Sequence, residues 1–358
     1  MSRPSHGGNL AWAATIAGCP ASSLLDFSAS INPLGPPTTV ITAIEAAFSQ
    51  LNHYPDPNYF SLRSHLSTHH SIPIDYILPG NGSAELLTWV GRELAQQDET
   101  VLLTPAFGDY QRALTAFNAQ IKTIPFDVLT QISLNEIIPT DADFSRSGLL
   151  LNNPHNPTGR LFSRAEILPL LDRFGLVVID EAFMDFLPPD RSESLIAEVE
   201  RYPNLIILRS LTKFYSLPGL RLGYAIAHPD FLQRWQAWRD PWPVNVLAEA
   251  AAIAGLQDQD FQQQTWDWLA RVKPQLKETL NQIPGLFTLE SAANYFLVQT
   301  EMSSSQLQRQ LLIHHQLLIR DCLSFPELGD RFFRVAVRTE SENLQLIHAL
   351  QTTFNSLV

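Results

Sequence analysis

The chain has 358 residues, 45% of them hydrophobic and 17% charged, which is material for a large core in two domains and excludes intrinsic disorder. Its net charge of −12, with no run of lysine or arginine, argues against a nucleic-acid surface, so an anionic ligand must be held by a few placed arginines and backbone amides. Cys19 and Cys322 form no metal or redox spacing, the N-terminus lacks a signal-like apolar segment, and no stretch of about 18 apolar residues exists to span a membrane, so a cytoplasmic location is expected.

Residues 1–35 are rich in Gly, Ser, Asn and Pro and predict an arm without a core of its own. From about residue 75, short apolar runs alternate with amphipathic stretches. Strands are expected at Tyr76–Leu78, Thr100–Leu103, Ile121–Pro125, Gly148–Leu151, Leu176–Ile179, Leu205–Leu208 and Leu222–Ala227. Between them, Ser163–Phe174 opens with a Ser-x-x-Glu capping box and stops at Gly175, which predicts a helix. Strands alternating with helices predict an α/β domain with a mostly parallel, seven-stranded sheet covered on both faces, whose ligand sits at the carboxyl ends of the strands. Pro241-Trp-Pro243 breaks the pattern. Helices follow over about 246–282, then strands at Tyr295–Gln299, Leu317–Arg320 and Phe332–Val337 and a helix from about 341. The expected units are an arm (1–35), a large domain (36–240) and a small α+β domain (241–358).

The residues that carry chemistry fall at those strand ends. Lys213 follows an apolar strand and Arg221 comes eight residues later; a buried lysine with a lowered pKa can react with an aldehyde. Ser210, Thr212 and Arg221 offer the donors a phosphate monoester needs. An aldehyde and a phosphate on one small molecule describe pyridoxal 5′-phosphate. Leu78-Pro-Gly-Asn-Gly-Ser-Ala-Glu85 reads as strand, glycine turn and helix start, where amides at Gly82, Ser83 and Ala84 can cradle a phosphate; a plain turn is the alternative. Tyr110 could lay its ring on a pyridine or simply fill a core. Asn153-Pro-His-Asn-Pro-Thr-Gly159 cannot extend a central strand, which leaves Asn156 free to donate to a ring oxygen. Asp180 ends a buried strand, where an unpaired carboxylate is costly; it needs a cation, either a protonated pyridine nitrogen or a salt-bridge partner. The pairs His65/His69 and His314/His315 lack a carboxylate or thiolate at ligand spacing, so no metal is expected.

In this order, glycine turn, Tyr, Asn-Pro repeat, Asp, Ser-x-x-Lys and Arg, the chain resembles the fold type I pyridoxal-phosphate enzymes of the aspartate aminotransferase superfamily over nearly its whole length. The resemblance implies that Lys213 is the Schiff-base lysine, Asp180 the partner of the pyridine nitrogen, Asn156 the donor to the phenolic oxygen and Tyr110 the stacking ring. Gly82, Ser83, Ala84, Ser210, Thr212 and Arg221 would form the phosphate shell. Tyr54, in His-Tyr-Pro-Asp-Pro57, is similar to a tyrosine that reaches the neighbouring subunit's phosphate, which implies a homodimer with shared sites. Arg334 resembles the arginine that holds the substrate carboxylate. Many members carry Tyr three residues after the aspartate; here that residue is Phe183.

Within the superfamily the chain resembles the histidinol-phosphate aminotransferases. Three further segments, His6-Gly-Gly-Asn9, Asp26-Phe-Ser-Ala-Ser-Ile-Asn-Pro-Leu-Gly35 and Leu318-Ile-Arg-Asp-Cys322, resemble the L-threonine-O-3-phosphate decarboxylases of cobalamin biosynthesis. That resemblance implies decarboxylation of O-phospho-L-threonine, with His6, Asn32, Arg320 and Arg334 around a small phosphorylated amino acid. An aminotransferase acting on histidinol phosphate or a related amino acid is the alternative.

Overall fold

The computed structural model describes residues 4 and 6–355. Seven strands form its main sheet: β2 (Ile77–Asn81), β3 (Glu99–Thr104), β4 (Ile121–Pro125), β5 (Ser147–Asn152), β6 (Leu176–Asp180), β7 (Leu205–Ser210) and β8 (Leu222–Ala227). Their spatial order is β2-β8-β7-β6-β5-β3-β4, and β8 alone runs antiparallel to its neighbours. The expected mostly parallel sheet is therefore present, with ends within a few residues of the sequence reading.

Its central strands read as unbroken apolar runs because both faces are covered. In β6, Val177 and Ile179 enter one core, while Leu176 and Val178 enter the other, together with Leu102, Leu150, Ile206 and Leu208. Strand alternation thus sends Asp180 to the side of Val178 and the next residue, Glu181, to the opposite face. The helix after β5 spans Arg164–Leu171 and carries the expected box, Ser163 N–H donating to Glu166 Oε2 at 2.9 Å. It stops before Phe174, and the Gly175 N–H is taken by Ser147 O at the start of β5.

The smaller sheet has the order β12-β13-β10-β9, from β9 (Leu286–Thr288), β10 (Tyr295–Thr300), β12 (Arg320–Asp321) and β13 (Phe332–Ala336), all antiparallel. The expected strand Leu317–Arg320 is split: β11 (Leu317–Leu318) leaves this sheet and pairs in parallel with β1 (Leu25–Asp26). That pairing, and the packing of helix Leu10–Ala17 against helix Ser304–His315, hold the N-terminal segment in place. Helix Val246–Gln257 packs against helices Thr38–Ala47 and Phe60–His70, on the side of the large sheet.

Candidate active site

The carboxyl ends of β5, β6 and β7 deliver Asn152, Asp180 and Ser210 to one edge of the sheet. Because β8 is antiparallel, its start lies at that same edge and brings Arg221, the residue just before it, to the others. Ser83, Ala84, Tyr110, Asn156, Asp180, Ser210, Thr212, Lys213, Arg221 and Arg334 line one cavity of about 240 Å³ there. These ten residues, all read from the sequence as site candidates, are brought together from both sheets and the intervening loops.

Lys213 lies in a single helical turn, Leu211–Phe214, directly after β7. Burial lowers the pKa of its amine; the Asp180 carboxylate opposes this, and the Arg334 and Arg221 guanidiniums add to it. Its Nζ sits 4.8 Å from the centroid of the Phe183 ring, an apolar wall. Burial pushes the Asp180 carboxyl up, against the charge of Lys213 and the Tyr110 hydroxyl. Tyr110 donates to Asp180 Oδ2 at 2.7 Å and Ala182 N–H to Oδ1 at 3.0 Å, so the carboxylate is held from two sides.

Helix Gly82–Leu94 begins at the same cavity, with Ser83 and Ala84 of its first turn in the lining. Gly82 has φ +72°, and a Cβ there would stand 2.6 Å from Arg221 Nη2. Glycine is thus required twice, by the backbone and by the close approach of the guanidinium. A Cβ on Gly223 would likewise stand 2.6 Å from the Ser83 nitrogen. Ser210 Oγ and Thr212 Oγ1 lie 2.7 Å apart beside this cradle. Helix amides, two hydroxyls and a guanidinium around one spot form a phosphate-sized anion site, and the buried amine and carboxylate lie in the same cavity. The donor set fits pyridoxal 5′-phosphate.

On the substrate side, Arg334 Nη1 donates to Asn156 Oδ1 at 2.6 Å, and its guanidinium lies 4.6 Å from the Tyr295 ring centroid. Arg320 is the direct cross-strand partner of Arg334. Its Nη2 donates to Ser324 Oγ at 2.6 Å and its Nη1 to Pro4 O at 3.4 Å. Arg320 lines a small cleft with His6, Gly7 and Ser28, and Gly7 and Ser28 also line the main cavity, so the two spaces adjoin. The His6 ring sits 5.6 Å from that of Phe107, which lines the main cavity.

Asn32 does not face the cavity. Its Nδ2 donates to Phe214 O at 2.8 Å and Thr265 Oγ1 at 2.9 Å, and its Oδ1 accepts from Leu34 N–H. With its backbone N–H on Lys213 O at 3.0 Å, it braces the lysine turn and has no amide group left for a substrate. Tyr54 is 79% exposed, stacked on Trp242 outside the cavity. Sequence reasoning missed Asn152, which accepts from Asn156 N–H and donates to Asp180 O, both at 2.7 Å, and so sets the spacing of the two. Its place at a strand end was the available signal. Phe107 and Asp109, also in the lining, had none.

Residues 22–350 match the family described as aminotransferase class I and II, and the chain belongs to that family of pyridoxal-phosphate enzymes. The threonine-phosphate decarboxylase of Salmonella typhimurium is 37% identical over 357 residues, 98% of this chain and 97% of its own. Among solved structures, histidinol-phosphate aminotransferase from Clostridium acetobutylicum has a TM-score of 0.84 at 28% identity, covering 93% of this chain and 100% of that one. L-threonine-O-3-phosphate decarboxylase from Porphyromonas gingivalis has a TM-score of 0.83 at 26% identity, covering 92% and 99%.

Proposed function

We propose that this protein decarboxylates O-phospho-L-threonine to (R)-1-amino-2-propanol O-2-phosphate and CO₂, a step of cobalamin biosynthesis, and works as a cytoplasmic homodimer. The observation that carries the reading is the Arg320–Arg334 pair. The two arginines stand directly opposite each other on adjacent strands, and the charge of Arg334 acts on the amine of Lys213. Two guanidiniums so placed suit a substrate bearing both a carboxylate and a phosphate. The near-full-length likeness to a threonine-phosphate decarboxylase supports the same choice.

Bound pyridoxal phosphate supplies an electron sink for the bond broken at the substrate Cα. Lys213 is its attachment point, and the lowered pKa keeps more of that amine uncharged than in a free lysine. Asp180, fixed by Tyr110 and Ala182, would hold a proton on the ring nitrogen. The Gly82–Ala84 amides, Ser210, Thr212 and Arg221 would hold the cofactor phosphate, with Tyr110 against the pyridine and Asn156 as donor to the ring oxygen. Arg320, with His6 nearby, would take the substrate phosphate and leave the carboxylate free to depart as CO₂, and Lys213 would return a proton to Cα. With Arg334 alone anchoring the carboxylate, the Cα–H bond would break instead, which is the aminotransferase outcome.

A run of exposed apolar side chains, Ile41, Phe48, Leu51, Tyr54 and Phe60, supports a partner subunit on that side. No helix among the described residues is long and apolar enough to cross a membrane. The deciding experiment gives purified holoenzyme O-phospho-L-threonine without any 2-oxo acid. Sustained CO₂ release is expected. A strict requirement for an amino acceptor would replace the proposal with the aminotransferase.

A further inference from the structure

A cavity of about 890 Å³, larger than the one of about 240 Å³ that holds Lys213, lies elsewhere in the molecule. It lies between the segment after β6, the long helix Gln259–Asn281 and the turn into β10. Phe186, Leu187, Trp266, Leu269 and Phe296 supply apolar and aromatic walls. The chain has only four lysines, Lys122, Lys213, Lys273 and Lys277, and two of them line this space. The half-buried Lys273 donates to Ser291 O, and its Nζ lies 5.6 Å from the Phe296 ring centroid. Burial drives its pKa down to about 7, and the charges acting on it, Arg191 and Lys277, are both cations. Lys277 is paired with Glu290, and Asp190, Asp267 and Glu278 also contribute to the lining. The amine itself meets the Ser291 carbonyl, the Phe296 ring and the charges of two cations.

We infer that this interdomain cavity is a second ligand site, in which Lys273 condenses with an aldehyde carried by an aromatic or apolar organic anion whose charge is met by Arg191 and Lys277. The chemistry balances without a redox partner. The unprotonated Nζ adds to the carbonyl carbon, a carbon–nitrogen double bond forms, the carbonyl oxygen leaves as water, and the reverse reaction is hydrolysis. An amine that titrates near 7 is substantially neutral at physiological pH, unlike an ordinary lysine near 10.4. Apolar walls with a few convergent polar groups are the usual make-up of a small-molecule pocket. The site is independent of which Cα bond the enzyme breaks.

Pyridoxal 5′-phosphate itself is a probe of the right class. Holoenzyme is incubated with excess cofactor, reduced with borohydride, digested and mapped by mass spectrometry. With four lysines the map is unambiguous. Label is expected at Lys213 and at Lys273, the latter at least about tenfold faster than at Lys122, with a rate that rises as pH passes through about 7. Arg191→Ala should slow labelling of Lys273 by the phosphate ester several-fold and leave labelling by the neutral alcohol, pyridoxal, nearly unchanged. Lys273→Met should lose the second label while retaining the visible spectrum of the cofactor at Lys213, which shows that the fold is intact. Label confined to Lys213, equal labelling of Lys273 and Lys122, or an identical Arg191→Ala effect on both probes would each overturn the inference.

Discussion

Arg221 shows how much one side chain can be asked to do. It sits at φ +59°, a left-handed conformation uncommon for a side-chain-bearing residue, and its Nη2 occupies the space a Gly82 Cβ would need. Arg221→Ala should weaken cofactor retention by about one to two decades in Kd, the value of a charge-assisted hydrogen bond of about 1.5–3 kcal/mol; equilibrium dialysis measures it, and an unchanged Kd would leave the amides to hold the phosphate alone. Lys213→Ala should abolish both turnover and the visible absorbance of bound cofactor, because no other lysine lies in that cavity. Arg320→Ala should raise KM and lower kcat for O-phospho-L-threonine at unchanged cofactor Kd; equal losses on a non-phosphorylated amino acid would make Arg320 structural. The residues gathered at the cofactor were legible in the sequence because their chemistry is specific and each follows a recognisable strand. Asn32 was not. Its partners, Phe214 and Thr265, are 182 and 233 residues away, and nothing local distinguishes an amide that braces a turn from one that meets a substrate.

At the scale of elements, the site depends on the relative register of β6 and β7. Behind it, on the face opposite Asp180 and Ser210, Arg209 Nη1 pairs with Glu181 Oε2 at 2.9 Å and Nη2 with Asp185 Oδ1 at 2.5 Å. Glu181 is fully buried and also accepts from Ser194 Oγ and Leu195 N–H. A one-residue slip of either strand would turn these charges into the site and the site residues away from it. Arg209→Met leaves Glu181 buried and unpaired and should cost about 3–5 kcal/mol in denaturant unfolding. Adding Glu181→Leu should recover most of that loss, since an apolar pair of similar volume is tolerated and the half-buried Asp185 can turn to solvent; failure to recover would mean that the pair contributes more than mutual neutralisation. The seven strands of the main sheet were readable from unbroken apolar runs. The two-residue strands β1 and β11 were not, because each exists only through the other, almost 300 residues apart.

At the scale of the whole molecule, Pro241-Trp-Pro243 suggested the joint between domains, yet helix Val246–Gln257 packs with helices of the large layer and the chain turns away only at Asp258. We place the joint there; proline punctuates a chain but does not say which side the next helix will pack on. The same region carries Trp242, against which Tyr54 is stacked at 4.5 Å between ring centroids, on an exposed surface. If Tyr54 serves the phosphate of a partner subunit, each site takes Lys213 from one chain and Tyr54 from the other. Lys213→Ala and Tyr54→Ala proteins, mixed and allowed to exchange subunits, then form hybrids in which one site carries both lesions and the other carries neither. Random exchange makes half of the dimers hybrid, so about a quarter of wild-type activity should return at a cofactor concentration too low to fill the Tyr54→Ala site. If Tyr54 acted within its own chain, every hybrid site would carry one lesion and no activity would return. Measuring activity before and after exchange therefore tests the shared site without a structure of the dimer, and a flat time course would refute it.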